Sequence, residues 1–302
     1  MKRLLTILTV MAALLASSLP VYVAVCGDGN ATEWTGFAAQ ARSKSKKNKR
    51  KKKQKKPAKS RQSLRQQQPA AQASVPTVGN TSLQMGLPRG MANNTVRYKA
   101  ITVWFNPNLR IPNCVGYELT ATMVSMADAP DHENRKNYRY SQDTRVTGCP
   151  DHWEYRGSGY TRGHMAPAMD MRWDPQAMAD CFLMTNMCPQ ETKLNNDHWR
   201  KLEERVHGWA KRYHRLLVFT GPIMGSHPGL IGKEHKNIAV PDAFFKVVYA
   251  PQQGRSIAFI YRNGPCPGSF SKYAVPVAEV ERRTGFTFPA AIPRNQCSPQ
   301  SW

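Results

Sequence analysis

The segment Thr185-Asn186-Met187-Cys188-Pro189-Gln190-Glu191-Thr192-Lys193-Leu194-Asn195-Asn196-Asp197-His198-Trp199-Arg200-Lys201-Leu202-Glu203 changes character halfway along. Its first part holds Pro189 and turn-forming Asn186. From Trp199 onward the apolar residues Trp199, Leu202, Val206, Trp209 and Tyr213 recur at steps of 3 or 4, which predicts one amphipathic helix. Asn195, Asn196 or Asp197 supplies its N-cap. Upstream lies Tyr160-Thr161-Arg162-Gly163-His164-Met165-Ala166-Pro167-Ala168, preceded by the glycine-bearing Arg156-Gly157-Ser158-Gly159 and stopped by Pro167. A histidine there sits at the end of a strand with its ring exposed. Its ordinary pKa of about 6.5 suits proton transfer at neutral pH. Taken alone, each residue has a plain structural reading. His164 is a loop histidine, Asn195 an N-cap and Asn186 a turn former. Glu203 is a surface partner of Lys201 or Arg200, and Arg162 an ion-pair partner.

The flanks read as strands. Tyr98 to Phe105 alternates β-branched and aromatic residues and ends at the turn Asn106-Pro107-Asn108. A second candidate runs from Val115 to Thr122, a third from Leu216 to Thr220 before Gly221-Pro222. Phe244 to Tyr249 and Ser256 to Tyr261 flank Pro251-Gln252-Gln253-Gly254 as a hairpin with a longer loop. These elements make an α+β domain on antiparallel strands. There is no internal repeat, dinucleotide-binding glycine fingerprint or phosphate-binding P-loop, and no Cys/His spacing suited to zinc.

In order and spacing these motifs resemble the DNA/RNA non-specific endonucleases, the ββα-metal nucleases whose signature is Asp-Arg-Gly-His. Arg162-Gly163-His164 runs on into Met165-Ala166-Pro167. Asn186 to Gln190 is similar to the family's Asn-x-x-Pro-Gln, and Leu194-Asn195, Trp199 and Leu202-Glu203 keep its spacing. The resemblance spans about Arg97 to Ile292, with Gly221-Pro222-Ile223 and Pro241 to Lys246 as further landmarks. It implies a central antiparallel sheet flanked by helices. It also implies cleavage of DNA and RNA without sequence preference, leaving 5′-phosphates.

His164 would be the general base. Asn195 would be the one direct protein ligand of a Mg²⁺, with Mn²⁺ or another divalent ion as a substitute, and few protein ligands suit Mg²⁺. Glu203 would hold a metal-bound water. Eight residues along a regular helix leave about 80° of rotation and about 12 Å of rise between Asn195 and Glu203, so a water must bridge them. Arg162 and Asn186 join the catalytic set, and Arg162, Arg205 and His207 the substrate-binding set. Two positions depart from the pattern. Thr161 stands where the signature has Asp, offering only a hydroxyl. His207 stands where the family places a phosphate-gripping Arg, with Arg205 beside it. The other reading is a catalytically weakened extracellular relative that only binds nucleic acid.

Charge supports a polyanionic partner without deciding the fold. The net charge is +23, but residues 42–61 hold 13 basic residues and no acidic one, whereas 91–302 hold 26 basic and 18 acidic, a net of +8. The chain therefore divides into three. Residues 1–26, with Lys2-Arg3 before an apolar run, read as a signal peptide or membrane anchor. Residues 27–90 form a Lys/Gln-rich linker expected to be disordered, either a spacer or an arm for nucleic acid. Residues 91–302 are the nuclease domain. Val25-Cys26 matches a lipoprotein box poorly. The leader points to an exported protein, secreted, periplasmic or anchored facing out. In that setting Cys114, Cys149, Cys181, Cys188, Cys266 and Cys297 are expected to form three disulfides, with the pairing open.

Overall fold

The computed structural model describes residues 83–302. The leader and the basic arm, including their expected anchoring or disorder, lie outside the described residues. No helix among the described residues is long and apolar enough to cross a membrane. Leu83 to Gly90, placed with the linker from composition, packs with the domain. Leu83 is buried, and Gly86 exchanges two backbone hydrogen bonds with Thr287 (2.8 and 2.9 Å).

The chain opens with three strands, β1 (Asn94–Arg97), β2 (Ile101–Asn106) and β3 (Ile111–Thr120), then α1 (Ala121–Ala127). A strand β4 (Thr161–His164) precedes α2 (Ala168–Met171) and α3 (Pro175–Cys181). Then come β5 (Met187–Gln190), a π-helical turn (Leu194–Trp199) and α4 (Arg200–Tyr213). The rest is β6 (Arg215–Ile223), β7 (Gly229–Ile231), β8 (Ile238–Val240), β9 (Ala243–Ala250), β10 (Arg255–Arg262), β11 (Ala274–Val275) and α5 (Val277–Thr284). The main sheet runs β1-β2-β3-β6-β9-β10-β11, every neighbouring pair antiparallel. The α+β, antiparallel expectation is met.

Strands β2 and β9 are buried along their whole length because both faces of the sheet are covered. Side chains alternate between faces along a strand, and the two cores divide accordingly. Val103, Phe105, Phe244 and Val248 join the core beneath α4. Trp104, Phe245, Val247 and Tyr249 join a second core with Val280, Phe286 and Phe288. The helical stripe from Trp199 to Tyr213 is buried throughout, and it seats α4 on the first of these faces.

Two expectations are corrected. Cys114, Cys149, Cys181, Cys188 and Cys266 are free, buried thiols, so the described residues hold no framework of three disulfides; Cys297 alone of the six is disulfide-bonded. The five thiols fill core space as small apolar side chains do. Nor do Asn195, Asn196 or Asp197 cap the helix. The π-helical turn carries the helical path back past them, and Glu191 takes the capping role. Its Oε2 accepts from the Leu194 N–H (2.8 Å) and its carbonyl from the Asn195 N–H (2.9 Å).

Candidate active site

Strands β4 and β5 pair antiparallel with Thr161 opposite Gln190, Arg162 opposite Pro189, Gly163 opposite Cys188 and His164 opposite Met187. With the helix that follows, they form a ββα unit. Gly163 is needed for the close approach. A Cβ there would fall 2.6 Å from Gln190 Cβ and nearer still to its Oε1. Asn263 clamps the end of β5. It accepts from the Glu191 N–H (2.8 Å) and donates to the carbonyls of Pro189 (3.0 Å) and Pro241 (2.9 Å).

His164 ends β4 and, contrary to the exposed ring expected, is buried at 7% exposure. Phe182 meets its ring edge-on at 5.1 Å and Tyr140 at 5.7 Å, and the Trp199 indole donates to its carbonyl (3.4 Å). Nε2 is enclosed without a hydrogen-bond partner. Burial, reinforced by the Arg135 charge, lowers the imidazole pKa to about 3. The ring is thus neutral at physiological pH, the form a proton acceptor needs.

Asn195 donates from Nδ2 to Thr161 Oγ1 (3.0 Å). No hydrogen bond engages its Oδ1 among the described residues. Glu203 lies further along the same helix, with Oε1 enclosed and unpartnered. Burial pushes its carboxyl up to about 8, against the pull of Lys246. Its expected surface partners are engaged elsewhere, Lys201 with Asp197 and Arg200 with Glu204. Lys246 is fully buried, donates to Thr220 Oγ1 (2.9 Å) and lies 4.8 Å from the Trp199 ring centroid.

Among the described residues there is no cluster of three or more His, Cys, Asp or Glu able to hold a metal. A free amide oxygen at Asn195, with an unpartnered carboxyl oxygen at Glu203, fits instead an ion that keeps most of its water.

The remaining candidates divide. Arg162 is half-buried between Tyr140 and Tyr155 (5.3 and 5.7 Å to the ring centroids) and gives Nε and Nη2 to the His152 carbonyl. Its Nη1 carries no hydrogen bond among the described residues. Asn186, expected among the catalytic residues, is fully buried. Its Oδ1 accepts from the Ala166 N–H, and Nδ2 donates to the carbonyls of Ala166 and Cys181, each at 2.9 Å. The whole amide is spent on backbone, that of Ala166 just past His164 and that of Cys181 at the end of α3, so Asn186 positions the loop.

His207, expected to grip phosphate, is buried with both ring nitrogens on carboxylates, Nδ1 with Asp170 (2.7 Å) and Nε2 with Asp128 (3.2 Å). Burial pulls its pKa down, but these two acids outweigh it and the net shift is upward. Arg205 lies two residues beyond Glu203, about 200° around the helix. Its guanidinium packs over Phe270 (4.0 Å) beside a separate cleft of about 390 Å³ lined by His198, Lys201 and Tyr261. Neither residue takes the place expected for it.

Sequence reasoning missed three neighbours of the site. Arg135 is exposed, stacks on Phe182 (5.1 Å) and bonds the Tyr140 hydroxyl (3.1 Å), so a cation stands beside the His164 pocket. Asn263 clamps from a distant loop and leaves no local signal. Lys246 did leave one, since a lone lysine inside the apolar run Phe244–Tyr249 must have a buried partner.

Comparison with known proteins agrees with this geometry. The family model described as DNA/RNA non-specific endonuclease matches residues 78–295. Nuclease 1, mitochondrial, of Schizosaccharomyces pombe is 29% identical over 234 residues, covering 70% of each chain. Nuclease C1 of Cunninghamella echinulata is 31% identical over 219 residues, covering 68% of this chain and 86% of its own. Among solved structures, that of the EndoG/EndoGI complex matches with a TM-score of 0.60 and 27% identity, covering 65% of this chain and 85% of that one. These relatives correct the expectation of export. The fission-yeast nuclease is named as mitochondrial, as are endonuclease G of cattle and of humans, which points away from a secreted protein. The match across most of the chain, and the ββα unit that presents His164 and Asn195, place the protein in the DNA/RNA non-specific endonuclease family as an endonuclease with the ββα-metal fold.

Proposed function

We propose that the protein hydrolyses internal phosphodiester bonds of both DNA and RNA without sequence preference and leaves 5′-phosphate ends. The observation that carries this reading is the ββα unit itself. It holds a neutral, unpartnered imidazole at His164, a free amide oxygen at Asn195 and an unpaired carboxyl oxygen at Glu203. His164 accepts the proton of the attacking water, and an incoming phosphate anion raises its basicity from the low value of the empty pocket. Asn195 would hold one Mg²⁺, or Mn²⁺ in its place, with Glu203 fixing one of the ion's waters. The ion would supply charge neutralisation at the phosphate and at the departing oxygen.

Arg162, through its uncommitted Nη1, and the exposed Arg135 are the cations best placed to orient the phosphate. Such contacts read backbone charge and carry no base information, which supports cleavage of both nucleic acids and predicts weakening with salt. The test incubates purified protein with supercoiled plasmid and with RNA, with and without EDTA. Metal-dependent nicking of plasmid and cleavage of RNA are expected, with 5′-phosphates at the new ends. Retention of nucleic acid without cleavage would leave only a binding protein.

A further inference from the structure

The departure from the family signature at Thr161 has a chemical answer in two hydrogen bonds. Thr161 Oγ1 donates to the Gln190 carbonyl across the β4–β5 pair (2.9 Å), and the same oxygen faces Asn195 Nδ2 at 3.0 Å. A carbonyl oxygen can only accept, and a hydroxyl has one hydrogen to give. That hydrogen is committed to Gln190, so Thr161 shows Asn195 only lone pairs. An amide facing lone pairs must turn its NH₂ toward them. The flipped amide would set Oδ1 against Oγ1, lose the bond and point NH₂ groups where a cation is to be held.

We propose that Thr161 is the positioning residue that sets the orientation of the Asn195 amide, so that the carbonyl oxygen faces the metal site. The inference rests on the reading of Asn195 as the metal ligand. An ionised carboxylate accepts and never donates. With its hydrogen engaged in the bond to the Gln190 carbonyl, the threonine hydroxyl is an acceptor toward Asn195 in the same way, without adding a negative charge. The frame around the pair is stiff. Thr161 is β-branched, with restricted χ1, and sits opposite Gln190 in register. The Asn195 backbone is tied to the Glu191 carbonyl, and Glu191 to Asn263.

The test is direct titration of the full chain with Mn²⁺, following free ion by electron paramagnetic resonance in the absence of nucleic acid, alongside thermal melts by circular dichroism. Asn195→Ala should abolish the site. Thr161→Val, which keeps the shape and removes the acceptor, should weaken Mn²⁺ binding about tenfold, the scale of one hydrogen bond. Thr161→Ser should restore binding to within about twofold of the wild type. Thr161→Ala serves the same purpose if the valine variant does not fold. The proposal is overturned if Thr161→Val binds Mn²⁺ as the wild type does while Asn195→Ala does not. It is equally overturned if Thr161→Ser binds as weakly as valine, or if Thr161→Val lowers only the melting temperature. If Asn195→Ala itself keeps the ion, the underlying reading of the site falls, and this inference with it.

Discussion

Replacing Asn186 with alanine removes three hydrogen bonds of 2.9 Å from a site with no solvent exposure, leaving the Ala166 N–H and the carbonyls of Ala166 and Cys181 without them. An orphaned buried polar group costs about 1–3 kcal/mol. Carbonyls keep a second lone pair for other partners, so the amide N–H sits at the upper end and the two oxygens at the lower, about 5 kcal/mol together. For a domain of this size each kcal/mol moves the midpoint by roughly 2–4 °C, which sets the expected fall at about 15 °C. The assay pairs a thermal melt with Mn²⁺ titration and steady-state cleavage of plasmid well below the new midpoint. Mn²⁺ affinity should stay within about twofold, because Asn195 is held by Thr161 and Glu191 instead. The cleavage rate should fall, because the Met165–Ala166 backbone that follows His164 loses its tether. Asn186→Asp should not rescue stability, since it keeps the acceptor for Ala166 N–H but aims a carboxylate oxygen at two carbonyls. A melting point within about 1 °C of wild type, with cleavage down about a hundredfold, would refute the reasoning and return Asn186 to the chemistry.

His164→Ala should lose at least about a hundredfold in rate, the scale of general base catalysis, while nucleic-acid binding persists. Because burial lowers the imidazole pKa to about 3, kcat/KM should stay level as pH drops from about 7 to 5; a limb near 6.5 that disappears in His164→Asn would contradict this. His207 has a folded pKa raised above its ordinary value of about 6.5, so its contribution to stability is full below that pH and fades as pH climbs through the folded pKa. His207→Gln should flatten that part of the stability curve, and identical slopes above pH 6.5 would show that the Asp170 and Asp128 contacts do not matter. Gly163→Ala should cost about 1–3 kcal/mol by overpacking against Gln190, seen as a lowered melting point together with lost cleavage; an unchanged midpoint would mean that the two strands can part freely.

The sequence made the scaffold legible wherever a local period carried the information. The stripe from Trp199 to Tyr213 needed only its spacing, and the strands at Phe244–Tyr249 and Ser256–Tyr261 needed only their β-branched and aromatic runs. The proposed site was legible at His164, Asn195 and Glu203 as ordered motifs that resemble the family, and the fold sets all three on the β4–β5 pair and the helix that follows it. What failed depends on partners far away in the chain. Nothing near His207 announces Asp128 or Asp170, whose carboxylates remove it from phosphate binding. Nothing near Asn186 tells that its amide is consumed by Ala166 and Cys181. Cysteine number suggested bridges, yet five of the thiols lie apart in the packed interior, where neither spacing nor count could place them.

The two cores on opposite faces of one sheet separate wear from work. The ring cluster of Phe219, Phe245, Phe286 and Phe288 belongs to the core on the sheet face opposite α4. Changes there alter how long the molecule survives heat or proteolysis, and leave turnover at moderate temperature alone. Natural drift or deliberate redesign can therefore adjust the lifetime of a potentially destructive nuclease from the rear layer, while the front layer keeps its cutting chemistry intact.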